Sequence, residues 1–363
     1  MPPTAARHYA LVSACRNEIG YIDGLIDTVA RQTLLPSHWV IVDDGSSDDT
    51  YARAARRREY LPFLRVVRMP LLRPPGFASQ AHAANYGYET LRGCGFDFIG
   101  FLDADIRLGP DYYERVVAAF HQSPRLGLAG GAVIDHYPDR TDNVRAGSEK
   151  YHVAGGVQLF RRRTFDDIGG YVPIEGGGQD TIADVMAMMH GWEVRTLSQI
   201  TAIHLRPEGS GRQNVLRRGL LWGHKFYALG YHPIFYFAQC MRRVTRRPWV
   251  LGSLSQLIGF GVASYRVRAR PVSVEFVDFI RRQQMQRLRV WLGSTSASRH
   301  SQHGFVRPTP GNDNLPGRRV AAHGGSPSQR IPATTTIAQP NTAATDDSPA
   351  QHSHTAEPLG GCE

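Results

Sequence analysis

The most constraining feature of the sequence is a series of short apolar segments that alternate with segments of helical periodicity. The apolar segments in the first part of the chain cover residues 9–15, 39–42, 64–67 and 96–102. Between them, apolar residues recur with a helical spacing at 19–32, 51–59 and 81–91. Continuous apolar strands that alternate with helices are typical of a parallel sheet covered on both faces. The chain is therefore predicted to form an α/β domain.

Acidic residues follow three of these predicted strands. Glu18 comes shortly after the first strand, Asp44 after the second, and Asp103 and Asp105 after the fourth. Ligands of parallel α/β sheets bind beyond the carboxyl ends of the strands. In an extended chain, residues i and i+2 point the same way, so Asp103 and Asp105 are predicted to share a divalent cation. Such a cation stabilises a nucleoside diphosphate as a leaving group.

Each acidic segment also has a purely structural interpretation. The residues after Asp44 form a good turn and helix N-cap sequence. Glu18 suits the first turn of a helix, where the helix dipole favours an acid. In the ligand-binding interpretation, Asp44 accepts a hydrogen bond from a pyrimidine N–H and Glu18 binds ribose hydroxyls. The two interpretations are compatible with each other.

Together these segments resemble the nucleotide-sugar domain of family-2 glycosyltransferases, over about residues 8 to 205. The matching segments are VSACRNE (12–18), VIVDDGSSDDT (40–50), ANYGYE (84–89), FLDAD (101–105), GGVQLFRR (155–162), IGGY (168–171) and GQD (178–180). The second and fourth are specific in combination. The resemblance implies a GT-A fold, which is a Rossmann-like mixed sheet flanked by helices. It also implies inverting transfer from a nucleotide-diphosphate sugar, with a UDP-sugar favoured.

The resemblance assigns a role to each carboxylate on the donor side. Glu18 and Asp44 contact the nucleoside, and Asp103 lies near the ribose or phosphate. Asp105 ligates the metal, Mn²⁺ or Mg²⁺. His204 follows a strand-like segment at 200–205, where a histidine of GT-A enzymes can be a further metal ligand; an ordinary buried or surface histidine is the alternative.

The resemblance also implies a general base on a late helix. Such a carboxylate deprotonates the acceptor hydroxyl, and here it is Asp180, before a predicted helix at 181–190. The usual pattern is Glu-Asp, whereas this sequence has Gln179 before Asp180, so the base is retained and its acidic neighbour is not. Inverting transfer needs one general base and no covalent intermediate. Asp180 as a simple helix N-cap is the alternative.

A basic region follows the predicted catalytic domain. Residues 206–299 contain 17 Lys and Arg against three acids, with aromatic residues interleaved. Arg217 and Arg218 are candidates to neutralise the diphosphate. The region is either an amphipathic extension on an anionic membrane, presenting a lipid-linked acceptor, or a helical subdomain packed on the domain. The signature Q-x-x-R-W of processive synthases is absent, which disfavours long processive synthesis.

The predicted organisation has four parts. Residues 1–7 form a flexible N-terminus, 8–205 the GT-A domain, 206–292 the basic helical extension and 293–363 a disordered tail. We expect no secretory signal and no membrane span in this sequence. Its four scattered cysteines predict reduced thiols, and we expect a cytoplasmic protein that is peripheral on the inner face of the membrane.

Three other functional classes fit the sequence less well than a glycan- or lipid-directed glycosyltransferase. A sugar nucleotidyltransferase normally has a glycine-rich phosphate loop after its first strand, but residues 13–20 contain one glycine. A non-catalytic glycan-binding scaffold need not retain Asp44, Asp105 and Asp180. The net charge of +10 is compatible with nucleic acid, but a basic patch alone is weak support, and no nucleic-acid partner is expected.

Overall fold

The computed structural model describes residues 8–70, 76–137, 143–144, 152–174, 176–206, 215–243, 249–267 and 269–300. The strands are β1 (Tyr9–Cys15), β2 (His38–Asp43), β3 (Leu64–Arg68), β4 (Phe98–Phe101), β5 (Ile106–Leu108), β6 (Leu126–Asp135), β7 (Asn143–Val144), β8 (Leu159–Arg161) and β9 (Glu193–His204). The α-helices are α1 (Ile22–Ala30), α2 (Thr50–Arg56), α3 (Phe77–Glu89), α4 (Tyr112–Gln122), α5 (Arg162–Asp167), α6 (Gln179–Met189), α7 (Val215–Ala228), α8 (Pro233–Arg243), α9 (Trp249–Arg266) and α10 (Val274–His300). Two short 3₁₀ turns lie at Arg57–Tyr60 and Gly155–Val157.

The strands form one mixed sheet in the order β3-β2-β1-β4-β8-β6-β9-β5, with β7 beside β6. The first four are parallel to one another, since β1 pairs with β2 and β4 and β2 pairs with β3. β8 is antiparallel to both β4 and β6. The mixed sheet flanked by helices that the resemblance implied is confirmed. It brings the ends of β1, β2 and β4 to one edge, which is where the acidic residues lie.

The apolar strands form the core because both faces of the sheet are covered. All but one of the seven residues of β1 are buried, and β2 is buried from Trp39 to Asp43. α3 packs closely on this part of the sheet at Gly87, where a Cβ would lie 2.5 Å from Val12 and 2.9 Å from Val42. Helix and strands therefore approach more closely than any larger residue at this position would allow.

Several element boundaries differ from the sequence-based expectation. The strand expected at 155–160 is a 3₁₀ turn followed by the short β8, because Gly155 and Gly156 sit between two carboxylates and turn the chain. The two strand segments expected at 193–197 and 200–205 form one strand, β9. The register of its pairing with β6 shifts between Gly131, which pairs with Leu197, and Ala132, which pairs with Thr201. This shift accommodates the β9 residues between Leu197 and Thr201.

The basic region is helical, as expected, and it packs on the catalytic domain. A second apolar cluster joins Ile182 and Val185 of α6 to Leu229 and to Phe276 and Ile280 of α10. α10 continues to His300, so the boundary expected at 292 falls inside a helix. The sheet and the helices up to Gly293 belong to one compact unit.

Three further expectations concern the membrane, the cysteines and the termini. Within the described ranges, no helix is both long enough and apolar enough to cross a bilayer. Cys15 and Cys240 are buried free thiols, whereas Cys94 is disulfide-bonded, so the expectation of four reduced thiols is wrong for Cys94. The flexible N-terminus expected at 1–7 and the tail expected beyond residue 300 lie outside the described residues.

Candidate active site

The loops that follow β1 and β2 are hydrogen-bonded to each other. The backbone N–H of Asn17 donates to Ser46 Oγ at 3.0 Å, and Asn17 Oδ1 accepts from the N–H of Ser47 at 2.8 Å. The N–H of Glu18 donates to Thr50 Oγ1 at 2.8 Å. Asn17 adopts a left-handed conformation with φ 53°, which asparagine tolerates better than most residues. The loops after β1 and β2 thus form one hydrogen-bonded unit at the edge of the sheet.

Glu18 and Asp44, the two carboxylates predicted to bind the nucleoside, are buried in this unit. Glu18 Oε1 accepts a hydrogen bond from Arg206 at 2.6 Å, while no partner within the described residues reaches its buried Oε2. Burial raises the pKa of Glu18 above its usual value, although Arg206 acts to lower it. Asp44 Oδ2 accepts a hydrogen bond from Ser79 Oγ at 2.5 Å. The orphaned oxygen of Glu18 is the kind of buried acceptor that a ligand hydroxyl satisfies.

Asp103 and Asp105, which are predicted to share one cation, contact different partners in this structure. The chain turns at this point, because the N–H of Ile106 donates to the carbonyl of Asp103 at 3.2 Å, and the extended geometry is lost. Asp103 Oδ1 accepts from Gln80 Nε2 at 3.0 Å. Asp105 Oδ2 lies 3.5 Å from His204 Nε2 on the neighbouring β9.

The Asp105 side of the site is a buried chain of charged groups. His204 Nδ1 contacts Asp135 Oδ1 at 2.7 Å, and its Nε2 faces Asp105. Arg206 donates to Asp105 Oδ2 at 3.0 Å as well as to Glu18. Burial raises the pKa of Asp105, but His204 and Arg206 more than offset this and hold the pKa below its usual value. Asp105 is therefore ionised and oriented at neutral pH.

The side-chain atoms of Asp105 and His204 suit Mn²⁺ or a similar divalent cation. A carboxylate oxygen and an imidazole nitrogen face each other, and the second ring nitrogen is fixed by a carboxylate, as is usual for metal-binding histidines. No cluster of three His, Cys, Asp or Glu side chains in a metal-binding arrangement occurs in the described part of the chain. Asp105 and His204 would thus supply two ligands, and oxygens of the substrate and of water the others.

Asp180 lies in the first turn of α6, close to the donor side. The N–H of Thr181 donates to Asp180 Oδ1 at 2.7 Å, and the preceding Gly178 has a left-handed φ of 107°. A Cβ on Gly155 would lie 3.2 Å from Asp180, and a Cβ on Gly156 would lie 2.7 Å from Asp103 Oδ2. The 3₁₀ turn Gly155–Val157 therefore lies between Asp103 and Asp180 and is close to both side chains.

Gln179 makes a second link between these two sides. Its Nε2 donates to Gln80 Oε1 at 3.5 Å, and Gln80 Nε2 in turn donates to Asp103. A glutamate at position 179 would place a carboxylate against the Gln80 oxygen and repel it. The orientation of the Gln80 amide therefore suits the Gln179 of this sequence and not the Glu of the usual Glu-Asp pattern.

Sequence reasoning missed a pair of residues behind Asp180. Asp184 is buried one turn further along α6, and its Oδ2 contacts His152 Nδ1. His152 Nε2 lies 4.0 Å from Asp180 Oδ2. Burial raises the pKa of Asp184 to about 6, which His152 opposes. The i, i+4 spacing of the two aspartates was a usable signal, but no motif marks residue 152.

Arg217 and Arg218 are the residues predicted to neutralise the diphosphate. Both lie at the start of α7, and within the described ranges neither makes an ion pair or hydrogen bond to the site carboxylates. Arg206 provides the positive charge at Glu18 and Asp105 instead. From α7, Lys225 approaches α6, since a Cβ on Gly178 would lie 2.7 Å from Lys225 Cε. Sequence reasoning did not single out Lys225.

Comparison with known proteins agrees with this arrangement. Residues 11–174 match the family described as glycosyl transferase family 2. Over 101 residues the chain is 33% identical to the O-antigen biosynthesis protein RfbC of Myxococcus xanthus; this covers 28% of the chain and 7% of the relative. The chain thus spans only a small part of the length of that relative.

Two solved structures share part of this arrangement of elements. The mannosyltransferase PcManGT from Pyrobaculum calidifontis, in complex with GDP-Man and Mn²⁺, has 18% identity and a TM-score of 0.48, covering 83% of this chain and 82% of that one. S. aureus TarS 1–349 in complex with UDP-GlcNAc has 16% identity and a TM-score of 0.46, covering 75% and 78%. The match over residues 11–174 relates this part of the chain to glycosyl transferase family 2.

Proposed function

We propose that the protein is an inverting glycosyltransferase that moves a sugar from a nucleotide-diphosphate sugar to a hydroxyl of a glycan or lipid-linked acceptor. The observation that carries this proposal is the 3₁₀ turn Gly155–Val157, which touches Asp103 on one side and Asp180 on the other. A donor held at the strand ends and an acceptor held at α6 would then meet across this turn. A single carboxylate on the acceptor side is what inversion requires.

The donor side offers groups for each part of a nucleotide. Asp44 is held by Ser79 and is a candidate acceptor for a base N–H, which favours a UDP-sugar. The buried Oε2 of Glu18 is a candidate acceptor for a ribose hydroxyl. Arg206 brings a guanidinium to the same place, and a guanidinium suits paired phosphate oxygens.

Asp105 and His204 are the residues that would hold Mn²⁺ or Mg²⁺, with Asp135 fixing the imidazole. When bound, the cation stabilises the negative charge that develops on the departing diphosphate. Arg206 contributes positive charge at the same carboxylate. Asp103, bonded to Gln80, would lie beside the sugar or ribose.

Asp180 is the candidate general base. Its Oδ1 accepts from Thr181, which fixes the carboxylate, and about a quarter of the side chain is exposed to the acceptor side. The acceptor O–H bond breaks as its oxygen bonds to the anomeric carbon. The proton goes to Asp180, and the bond from that carbon to the diphosphate breaks with its electron pair. One displacement inverts the anomeric configuration.

A panel of UDP-, GDP- and dTDP-sugars tests this function, with thermal stabilisation in Mn²⁺ as the first readout. We expect one donor class to raise the Tm, and its nucleoside diphosphate to be released. NMR of the released sugar should show the inverted anomer, and EDTA should suppress release until Mn²⁺ or Mg²⁺ is added. Retention of configuration, or release indifferent to chelation, would contradict the mechanism.

The C-terminal helices suit attachment to an anionic bilayer surface, and we include this in the proposal. α9 has its polarity reversed, since it buries small residues and exposes large apolar ones. The buried residues are Gly252, Ser253, Ser255, Gly259 and Ala263, and the exposed ones are Leu251, Leu254, Ile258, Val262 and Tyr265. Small residues at a helix contact with large apolar residues outside are typical of helices in an apolar medium.

The contact between α7 and α9 shows how close this packing is. A Cβ on Gly223 would lie 2.1 Å from the carbonyl oxygen of Gln256, and one on Gly259 would lie 2.2 Å from that of Leu220. The exposed apolar face of α8 continues the pattern with Ile234 and Phe237. The strong excess of Lys and Arg in residues 206–299 complements anionic lipid headgroups.

Vesicle flotation tests the membrane surface. Wild type should bind vesicles containing phosphatidylglycerol and should bind phosphatidylcholine vesicles weakly. The double variant Leu254→Glu, Ile258→Glu should lose this binding, whereas Leu35→Glu, an exposed apolar position on the catalytic domain, should not. Equal vesicle binding by the double variant and by Leu35→Glu would contradict a membrane-binding role of α9. Self-association that only the double variant abolishes would show that a second copy covers it instead.

A further inference from the structure

We propose that His152, held by Asp184, is a positioning residue that receives the acceptor proton from Asp180 and so restores the base after each transfer. This inference rests on the proposed function, since it concerns the same acceptor-side site. It adds to that site a histidine and a buried carboxylate that neither the motifs nor the family match single out.

Asp184 is fixed by hydrogen bonds from three directions. Its Oδ2 contacts His152 Nδ1, and its Oδ1 accepts from Gln158 Nε2 at 3.2 Å and from the N–H of Val153 at 3.5 Å. Gln158 is itself buried and accepts from the hydroxyl of Tyr171 at 2.6 Å. The carboxylate is thus held in one orientation, and it selects the imidazole tautomer that carries a proton on Nδ1.

That tautomer leaves Nε2 of His152 as a proton acceptor aimed at Asp180. Nε2 lies 4.0 Å from Asp180 Oδ2. This is longer than a hydrogen bond, so proton transfer needs one intervening water or a small rotation of Asp180. The backbone carbonyl of His152 accepts a hydrogen bond from the Thr196 hydroxyl on β9, which anchors the ring position to the sheet.

The order carboxylate, imidazole, proton-donating group is the arrangement by which enzymes raise the basicity of an imidazole. After sugar transfer, Asp180 carries the acceptor proton on its carboxyl oxygen. The Asp180 O–H bond breaks, a bond from that proton to His152 Nε2 forms, and the imidazolium charge is balanced by Asp184. The proton then leaves from the partly exposed ring to water. No bond of the sugar is involved in these steps.

Acidic, phenolic and cationic groups lie near the pair among the described residues, and the cationic one is Lys225 of α7, whose side chain packs against Gly178. Asp180 and Asp184 face His152 from α6, and Asp103 and Tyr171 lie near enough to interact electrostatically with them. The pKa of Asp184 is raised by burial to about 6. Below that pH the carboxylate is protonated and no longer balances an imidazolium, so turnover should fall on the acid side.

The test measures release of the nucleoside diphosphate from the best nucleotide sugar of the panel, with water as acceptor. His152→Gln should lower kcat about 10²-fold and leave the donor KM within about twofold, because ground-state binding does not involve the ring. His190→Gln, at the exposed end of the same helix, is the matched control and should behave as wild type. Imidazole added to His152→Ala should restore part of the rate.

The pH profile separates a proton-receiving role from a structural one. Asp184→Asn should lower kcat at neutral pH and remove the acid limb, because the carboxylate whose protonation causes that limb is gone. A normal kcat in His152→Gln together with an inactive Asp180→Asn would overturn the inference and leave the proposed base standing. A normal rate in Asp180→Asn would overturn both. Loss of activity in His152→Ala without rescue and with a raised donor KM would show that the ring is structural.

Discussion

In the described part of the chain, two histidines each lie between two carboxylates, and the two sets differ in their charge. On the donor side, His204 lies between Asp105 and Asp135 and is almost fully buried. On the acceptor side, His152 lies between Asp180 and Asp184, and more than a quarter of its side chain is exposed. Both histidines use Nδ1 for the anchoring carboxylate and turn Nε2 toward the other.

The difference lies in Arg206, which has no counterpart on the acceptor side among the described contacts. Arg206 bonds to Asp105 and helps to lower the pKa of that carboxyl. Asp184 is more deeply buried, its cationic contact among the described residues is the imidazole, and its pKa is raised. The same three groups therefore give a permanently ionised site suited to a cation and a phosphate in one place, and a titrating site suited to a proton in the other.

The largest expected effect comes from removing the base of the acceptor-side set. Asp180→Asn should lower kcat about 10³-fold, because the neutral amide cannot accept the acceptor proton. The donor KM should change little. Steady-state kinetics with the best nucleotide sugar measure this, with Asp111→Asn on the surface of α4 as the control.

The buried carboxylate of the same set should make stability depend on pH. Its pKa in the folded protein is about 6, against 3.8 in the unfolded chain, so its protonated form is favoured by folding. The stability it contributes is present below pH 3.8 and is lost as the pH rises through about 6. One pKa unit corresponds to about 1.4 kcal/mol, so wild type should lose up to about 3 kcal/mol.

Denaturant unfolding between pH 4 and 7 measures this loss, with Asp184→Asn as the reference because it cannot titrate at that position. A wild-type curve parallel to that of Asp184→Asn would contradict a raised pKa.

The anchor of the donor-side histidine should matter for the cation. Asp135→Asn removes the carboxylate that fixes His204 Nδ1, and such changes weaken metal affinity about 10–100-fold. Titration of Mn²⁺ against donor binding measures the shift. Affinity that remains as in wild type would separate His204 from the cation site.

The smallest effect should come from the residue that distinguishes the two sets. Arg206→Gln leaves Glu18 and Asp105 without their cationic partner. Since Arg206 is about half exposed, we expect a loss of only about 1–2 kcal/mol in the absence of divalent cations. Saturating Mn²⁺ should restore most of the loss, because it supplies the missing positive charge. Failure of Mn²⁺ to do so would place the cation elsewhere.

The sequence predicts the donor side better than the acceptor side, for a physical reason. Carboxylates at the ends of parallel strands meet at one sheet edge whatever the loops do, so Glu18, Asp44 and Asp105 could be placed together. The divergence of Asp103 from Asp105 depends on one turn hydrogen bond that spacing does not reveal. His152 comes from a segment without a motif, and only the fold brings it to α6.

The structure of the helical extension could also be predicted only in part from the sequence. Its basic and aromatic composition left two interpretations open, and the structure contains the packing that one of them required. α10 covers α6 with Phe276 and Ile280. The reversed polarity of α9 could not be read from composition, because it depends on which face meets α7.

The division of labour between the two sets is tested most directly by calorimetric titration of the best nucleotide sugar, with and without Mn²⁺, into Asp180→Asn and Asp105→Asn side by side. Asp180→Asn should bind the donor within about twofold of wild type and retain the gain from Mn²⁺, since an interaction made only in the transition state does not affect donor binding. Asp105→Asn should lose that gain. Donor binding that depends on Asp180, or a Mn²⁺ effect that survives in Asp105→Asn, would contradict the account.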